Sequence, residues 1–340
     1  MTKQTKQIKI AVLGAGHLGS IHARLWKTAD NATLEGIYEP NPEQARKVSE
    51  ENGVKVFTTI EEAFAAVDAV TIASPTSFHY ELAVEAINAG KHCFIEKPIT
   101  TTYKEAEKLI ELARHKDVLV QVGHVERFNP GLAALHSYNI APLFIEAHRL
   151  AQFKPRATDV SVVLDLMIHD IDIALWLVKS PVVSIDAHGV AVLTETPDIA
   201  NARIRFANGC VANLTASRIS AQPMRKMRLF QKDAYLSVDF AKGSVDVYRM
   251  LKDGEETSSV PAMMLGSIDA GDIKKSIVYE QPISPQVNAI AEEQRAFINA
   301  ILGHSSIAVS AVDAAEALRI AEEIAIAIEN ETRNNLSGKV

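Results

Sequence analysis

The chain has 340 residues, 47% of them hydrophobic and 23% charged, and its 35 basic and 42 acidic side chains leave a formal net charge of −7. This length exceeds one ordinary core and predicts two domains, while the acidic balance lacks the basic footprint of a nucleic-acid-binding protein. No apolar run approaches the ~20 residues that span a bilayer, and Met1 to Gln7 is polar, so no membrane partner and a cytoplasmic location are expected.

Ile8 to Leu13 reads as a short buried strand that ends in Gly14-Ala15-Gly16-His17-Leu18-Gly19, with a helix from Ser20 to Ala29. Strands are expected over 33–38, 69–73, 92–95 and 118–122, alternating with helices over 43–52, 61–66, 77–89 and 103–115, and Val56-Phe57 is short and extended. Alternation at this spacing predicts parallel pairing with right-handed crossovers, a doubly wound sheet. After about residue 125 the pattern changes. Runs over 144–153, 182–193, 200–207, 210–219, 225–240 and 244–250 read as strands, interrupted by one helix from Val163 to Val178. Asn208-Gly209 predicts a two-residue hairpin turn. Lys252 to Ser284 reads as a long loop with an extended stretch at 277–281, and helices over 286–302 and 312–331 close the chain. The fold class is therefore α/β, an N-terminal doubly wound parallel sheet over residues 1–123 and a C-terminal α+β domain on an antiparallel or mixed sheet over 124–340.

Strand, Gly-x-Gly-x-x-Gly and helix in succession form the context of a dinucleotide site. Gly14 permits the tight turn, Gly16 admits the pyrophosphate close to backbone, Gly19 lets the helix pack on the strand, and the helix N-terminus favours phosphate. Glu39, about twenty residues beyond the last glycine, stands where a carboxylate would hold the ribose hydroxyls. A carboxylate repels a 2′-phosphate, so NAD is expected over NADP, although Asn41 and the region around Arg46 leave a phosphate open. Cys93 and Cys210 have neither disulfide nor metal spacing and read as buried thiols.

Glu96-Lys97-Pro98 follows a strand, where open parallel sheets place ligands. Lys97 is either a solvated loop residue or a group that neutralises a developing alkoxide or relays a proton. Asp165 and His169 are four apart in a helical segment and share a face, with Asp172 seven beyond Asp165. A histidine beside a carboxylate suits a general base, and a buried polar cluster is the other reading. A metal is not expected, because no third ligand of good type is near.

Four motifs in order carry a resemblance over nearly the whole chain: residues 12–19, Ser74-Pro75-Thr76-Ser77-Phe78-His79, Glu96-Lys97-Pro98, and residues 165–172. On these the chain resembles the glucose-fructose oxidoreductase/inositol dehydrogenase/MocA family. The resemblance implies a Rossmann domain plus an open-faced sheet domain with the active site between them. It implies Lys97, Asp165 and His169 as the catalytic set, with His169 removing the hydroxyl proton as hydride leaves carbon. Cofactor contacts would come from Gly14, Gly16, His17, Leu18, Gly19, Glu39, Ser74, Pro75, Thr76, His79, Glu96 and Lys97. It further implies a homo-dimer or homo-tetramer through the exposed sheet face.

The segments 123–130, 148–149, 154–156 and 158–165 resemble, more narrowly, those members that oxidise the 3-hydroxyl of UDP-N-acetylglucosamine. A UDP-sugar is then the expected substrate, with His124, Arg127, Asn129, Arg149 and Arg156 as candidate contacts. Arg127, Arg149, Lys154 and Arg156 suit a diphosphate, or they pair with Glu126, Glu146 or Asp159 instead. Two alternatives stand beside this reading: a dehydrogenase of an unactivated sugar or cyclitol, and a non-catalytic NAD-binding sensor. The presence of Lys97, Asp165 and His169 weighs against the sensor.

Overall fold

The computed structural model describes residues 6–154, 160–251, 262–270 and 273–337. The chain packs as two compact units, Met1–Val125 with Val287–Arg319, and Glu126–Gln286 with Ile320–Val340. A linear division at 123/124 lies close to the first transition but misses the return of 287–319 to the first unit.

In the first unit, β1 (Ile8–Leu13), β2 (Ala32–Tyr38), β3 (Ala69–Ile72), β4 (His92–Glu96) and β5 (Val120–Gly123) form an all-parallel sheet in the order β2-β1-β3-β4-β5. The crossovers carry α1 (His17–Trp26), α2 (Pro42–Asn52), α3 (Ile60–Ala66), α4 (His79–Asn88) and α5 (Tyr103–Lys116). β3 and β5 are buried at every position, as expected of strands covered on both faces. Local chemistry places the helix ends. Asn41 caps α2 by accepting from the Glu43 and Gln44 amides ahead of Pro42, and Thr102 with Glu105 forms a capping box on α5. Trp26, Phe94 and Phe297 pack with Ile8, Ile10 and Val12 in the core.

The second unit begins with α6 (Pro130–Ala133) and β6 (Phe144–Leu150), followed by α7 (Ile168–Val178). A wide π-helical turn over Val163–Met167 leads into α7, inside the expected helix 163–178. β7 (Val182–Val190), β8 (Ile199–Phe206), β9 (Val211–Ser217), β10 (Met224–Gln231), β11 (Ala234–Asp239), β12 (Ser244–Leu251), β13 (Ala262–Ala270) and β14 (Ile273–Glu280) complete a nine-stranded sheet in the order β13-β14-β12-β11-β10-β6-β9-β8-β7. β6 and β9 pair in parallel and the other pairs are antiparallel, so the sheet is mixed. Ile145, Ala147 and Arg149 of β6 face the buried side and the alternate residues face outward. On the outward side, Phe144, Phe230, Tyr235, Tyr248 and Tyr279 stack across five neighbouring strands with ring separations of 4.9–5.8 Å. α8 (Ala289–Ile301) and α9 (Ala311–Ser337) end the chain.

Three sequence expectations change here. The run 225–240 is two strands, because Asp233 takes a left-handed turn at φ 63°. The hairpin at Asn208-Gly209 has a three-residue loop: the Phe206 amide donates to Cys210 O and the Gly209 amide returns to Phe206 O, with Gly209 at φ 87°. The expected long loop over 252–284 contains the hairpin β13–β14, bulged between Met264 and Gly266. The lack of alternation around Gly266 hid an edge hairpin whose Met263, Met264 and Leu265 remain exposed.

One close approach positions the cofactor loop. A Cβ built on Gly19 would lie 1.9 Å from Gly14 O, so α1 reaches β1 only with glycine there. Gly19→Ala should therefore destabilise the protein by at least the upper end of the ~1–3 kcal/mol usual for overpacking, measured by urea denaturation. An unchanged midpoint would mean the close approach is not maintained in solution.

Candidate active site

The glycine loop turns at Gly14 (φ 89°), where a Cβ would stand 2.7 Å from the Ser74 amide nitrogen. At Gly16 a Cβ would meet nothing within 4 Å, so the loop faces open space there. Gly16 also caps α1 without any side-chain hydrogen bond, and the first turn of α1 carries no acidic residue. Its first amides are thus not taken by a side-chain cap, which fits a phosphate. Glu39 at the end of β2 is already tethered: Oε2 accepts the Ala15 amide at 2.7 Å and Oε1 the Asn41 amide at 3.0 Å. Gln44 Nε2 donates to Ala15 O at 2.6 Å. These bonds hold the carboxylate beside the glycine loop, where the residues present fit a dinucleotide. His17 and Leu18 are exposed on the first turn of α1.

Ser74, Pro75 and Thr76 follow β3 as a partly exposed turn. His79, expected as a cofactor contact, is turned inward. It is buried, and its two ring nitrogens lie 2.9 Å from Pro98 O and 2.9 Å from Ser74 O. It ties the turn after β3 to the turn after β4. Burial pushes its imidazole below the ordinary histidine range, against the pull of the two carbonyls and Glu96.

Glu96, expected near the ribose, is also turned inward. It is 8% exposed, its Oε1 is 2.7 Å from His22 Nε2, and its Oε2 accepts the Lys97 amide at 3.2 Å. Lys97 itself is partly exposed at the carboxyl end of β4. Cys93 and Cys210 are both buried thiols, pushed up by burial, Cys210 to about 11.

In the second unit, the π-turn and the start of α7 leave Asp165 and His169 partly exposed, whereas Asp170 and Asp172 are buried. The expected shared face of Asp165, His169 and Asp172 is therefore split. Asp172 takes a bidentate bond from Arg127, with Nε 2.8 Å from Oδ2 and Nη2 2.6 Å from Oδ1. Asp170 takes another from Arg149 at 2.9 Å on each oxygen, and Arg149 Nη1 also donates to Glu126 at 2.7 Å. Arg149 is 3% exposed. Burial opposes its charge, but Asp170 and Glu126 outweigh burial and hold the guanidinium charged.

Of the expected substrate contacts, His124, Asn129 and Arg149 are buried and Arg127 is paired within its unit. Arg127 and Arg149 neutralise acidic residues inside the unit; Glu126 is one of the partners their sequence offered, whereas Asp172 and Asp170 are not. Asn129 is buried, caps α6 through the Gly131 amide, and donates to Glu126 and Phe240 O. His124 is 1% exposed. Arg156 lies outside the described residues, and Lys154 is exposed.

Two site-forming groups escaped the sequence reading. His22 and Glu293 are both fully buried, and Glu293 sits in α8 with Gln294, Phe297 and Ile298. The signal was present: Glu293 precedes Phe297 by four residues, which puts a carboxyl on the apolar face of a helix.

A parallel sheet of this order, with an uncapped helix after a glycine loop, defines a dinucleotide-binding unit joined to a mixed-sheet unit. Residues 8–124 match the model of the oxidoreductase family with an NAD-binding Rossmann fold, and residues 137–246 match the GFO/IDH/MocA C-terminal domain. The chain is 37% identical over 323 residues to a UDP-N-acetylglucosamine 3-dehydrogenase of Acidithiobacillus ferrooxidans, covering 95% of this chain and 97% of that one. The solved structure of that organism's enzyme superposes with a TM-score of 0.84 at 35% identity, covering 95% and 98% of the two chains. A scyllo-inositol 2-dehydrogenase (NAD(+)) of Bacillus subtilis is 30% identical over 235 residues, 63% of this chain and 68% of that one. The chain belongs to the GFO/IDH/MocA oxidoreductase family.

Arg149 offers a direct check on the second unit. Arg149→Met leaves Asp170 and Glu126 buried without their cation, and should cost about 3–5 kcal/mol of stability in chemical denaturation. A substrate-only role would instead raise KM and leave the unfolding midpoint in place.

Proposed function

We propose that the protein oxidises the 3-hydroxyl of UDP-N-acetylglucosamine to a ketone with NAD as hydride acceptor. The observation that carries this reading is the likeness over nearly the full length of both chains to a UDP-N-acetylglucosamine 3-dehydrogenase; Lys97, Asp165 and His169 are the catalytic set that the sequence resemblance implies. NAD over NADP is supported by Glu39, whose carboxylate is held at the glycine loop by the Ala15 and Asn41 amides and would repel a 2′-phosphate.

When bound, the nicotinamide supplies the acceptor for the hydride. The chain's own residues handle the proton and the charge. His169 takes the hydroxyl proton as general base, Asp165 orients the imidazole, and the Lys97 ammonium stabilises negative charge developing on the substrate oxygen. With Arg127 and Arg149 engaged by aspartates, Lys154 and Arg156 are the remaining candidates of that segment for a diphosphate. The same reading places the protein in the cytoplasm as a homo-dimer or homo-tetramer. The aromatic row on the outward sheet face supports an oligomer contact. Among the described residues, no helix is long and apolar enough to cross a membrane.

The internal pairing of Arg127 and Arg149 favours a second reading, a dehydrogenase of an unactivated sugar or cyclitol, because it removes two of the expected diphosphate contacts. NADH production from NAD+ with UDP-N-acetylglucosamine, free N-acetylglucosamine, glucose and myo-inositol separates the two. Turnover of the UDP-sugar alone is expected, and turnover of free inositol or glucose without the UDP-sugar replaces the first reading by the second.

Lys97→Met should lower kcat by at least about 100-fold, the scale of a lost charge-stabilising donor, while NAD binding measured by calorimetry stays within a few-fold. Unchanged turnover removes Lys97 from the mechanism.

A further inference from the structure

Beneath the turn that carries Lys97 lies a buried cluster with no part in the chemistry above. One ring nitrogen of His22 and one carboxylate oxygen each of Glu96 and Glu293 lie within 4.8 Å of one another, and none of the three residues is more than 8% exposed. Glu96 is fully used: His22 Nε2 lies 2.7 Å from Oε1, and the Lys97 amide donates to Oε2. Neither carboxylate oxygen of Glu293 has a hydrogen-bond partner among the described residues. A buried acceptor-only group left in that state carries a large desolvation cost.

The donors around His22 can be assigned from their partners. Gln294 Nε2 lies 3.3 Å from His22 O, a carbonyl that only accepts, so the amide nitrogen is turned toward His22. The same nitrogen donates to His22 Nδ1 at 3.0 Å. The one ring proton of a neutral imidazole is then on Nε2, pointing at Glu96. An N–H there is the wrong state for a metal ligand, which must offer a lone pair.

Two carboxylates in a dry site beside a neutral imidazole do not both ionise cheaply. The groups facing Glu293 from other elements are Glu96 on β4, His22 on α1 and neutral Gln121 on β5, whose amide donates to Glu293 O at 2.7 Å. On its own helix, Gln294 is neutral, and Arg295 is exposed and paired with Glu292. Burial first, and then the Glu96 charge, push the Glu293 carboxyl well above the usual carboxylate range.

We propose that Glu293 is held as the neutral carboxylic acid and that it and His22 are positioning residues for Lys97, acting through Glu96. The proton on Glu293 leaves Glu96 as the single anion of the cluster, free to accept from His22 Nε2–H and from the Lys97 main chain. Gly123 gives this carboxylate its room, since a Cβ there would stand 3.1 Å from Glu96 Oε2. The positioning role rests on the reading of Lys97 as the group that meets the substrate oxygen.

With its folded pKa raised, Glu293 binds a proton in the folded protein that it has lost in the unfolded chain at intermediate pH. Its contribution to stability is full below the ordinary carboxylate range and is lost as pH rises toward the folded value. Thermal unfolding from about pH 5 to about pH 8.5 should show wild-type Tm falling more steeply with pH than that of Glu293→Gln, which carries a neutral amide. The infrared difference spectrum between the two at neutral pH should contain the C=O stretch of a protonated carboxylic acid. Glu293→Ala should lower kcat between about 10- and 100-fold, as a displaced reacting group does, with little change in KM for NAD, and Glu293→Gln should restore it.

Parallel Tm profiles with no carboxylic-acid band overturn the neutral state of Glu293, as does one divalent metal ion per chain retained after dialysis. Equal loss of kcat in both Glu293 variants overturns the positioning role. The infrared and Tm readouts do not depend on Lys97, so turnover surviving in Lys97→Met would refute the reading of Lys97 and still leave the state of Glu293 decided.

Discussion

The first unit depends on how closely α1 approaches β1. The contact between Gly19 and the Gly14 carbonyl admits no Cβ, and the approach it permits aims the uncapped first turn of α1 at the space in front of the loop. Glu39 is tied to the same loop through the Ala15 amide, so the carboxylate and the helix end are fixed to one another through a few atoms of backbone. Trp26, at the far end of α1, is anchored by its indole N–H on Thr71. The helix is therefore held at both ends and cannot slide along the strand.

Charge is handled differently in the two units. In the second, Arg127 with Asp172 and Arg149 with Asp170 and Glu126 are bidentate or tridentate arrangements at near-zero exposure. Such pairs add little net stability over a well-packed apolar core, but removal of one partner is costly. They fix the start of α7 against β6 and so set the backbone on which Asp165 and His169 stand. In the first, the buried Glu96 is served by a histidine and a backbone amide. His79 adds a second tether by linking Ser74 O to Pro98 O. Both devices use buried polar groups to hold loops that carry the exposed ones.

The strands of the first unit were legible because apolar runs of four to seven residues alternate with helices, and side-chain caps at Asn41, Thr59 and Thr102 mark the starts of α2, α3 and α5. In the second unit the rules were weaker. The run 225–240 has β character throughout, and only the left-handed turn at Asp233 reveals two strands. The hairpin β13–β14 reads as a loop because its apolar residues do not alternate: Met263, Met264 and Leu265 run together and the register shifts between Met264 and Gly266. At the site, the glycines, Glu39 and Lys97 were legible as motifs. His22 and Glu293, 271 positions apart in the chain, meet only through packing of α8 on α1.

The amino-acid sequence alone determined the dinucleotide loop, the succession of strands and helices along the first unit and the family, because these follow from spacing, turn chemistry and short motifs within about thirty residues, the span of one βαβ unit. Tertiary structure decided which charged groups are spent internally. Arg127, Arg149, Asn129, His79 and Glu96 each read as ligand contacts, yet each has a partner supplied by a distant segment. A side chain's chemistry is local, but whether its charge faces solvent or another buried charge depends on which elements pack together, and that is a long-range property of the fold.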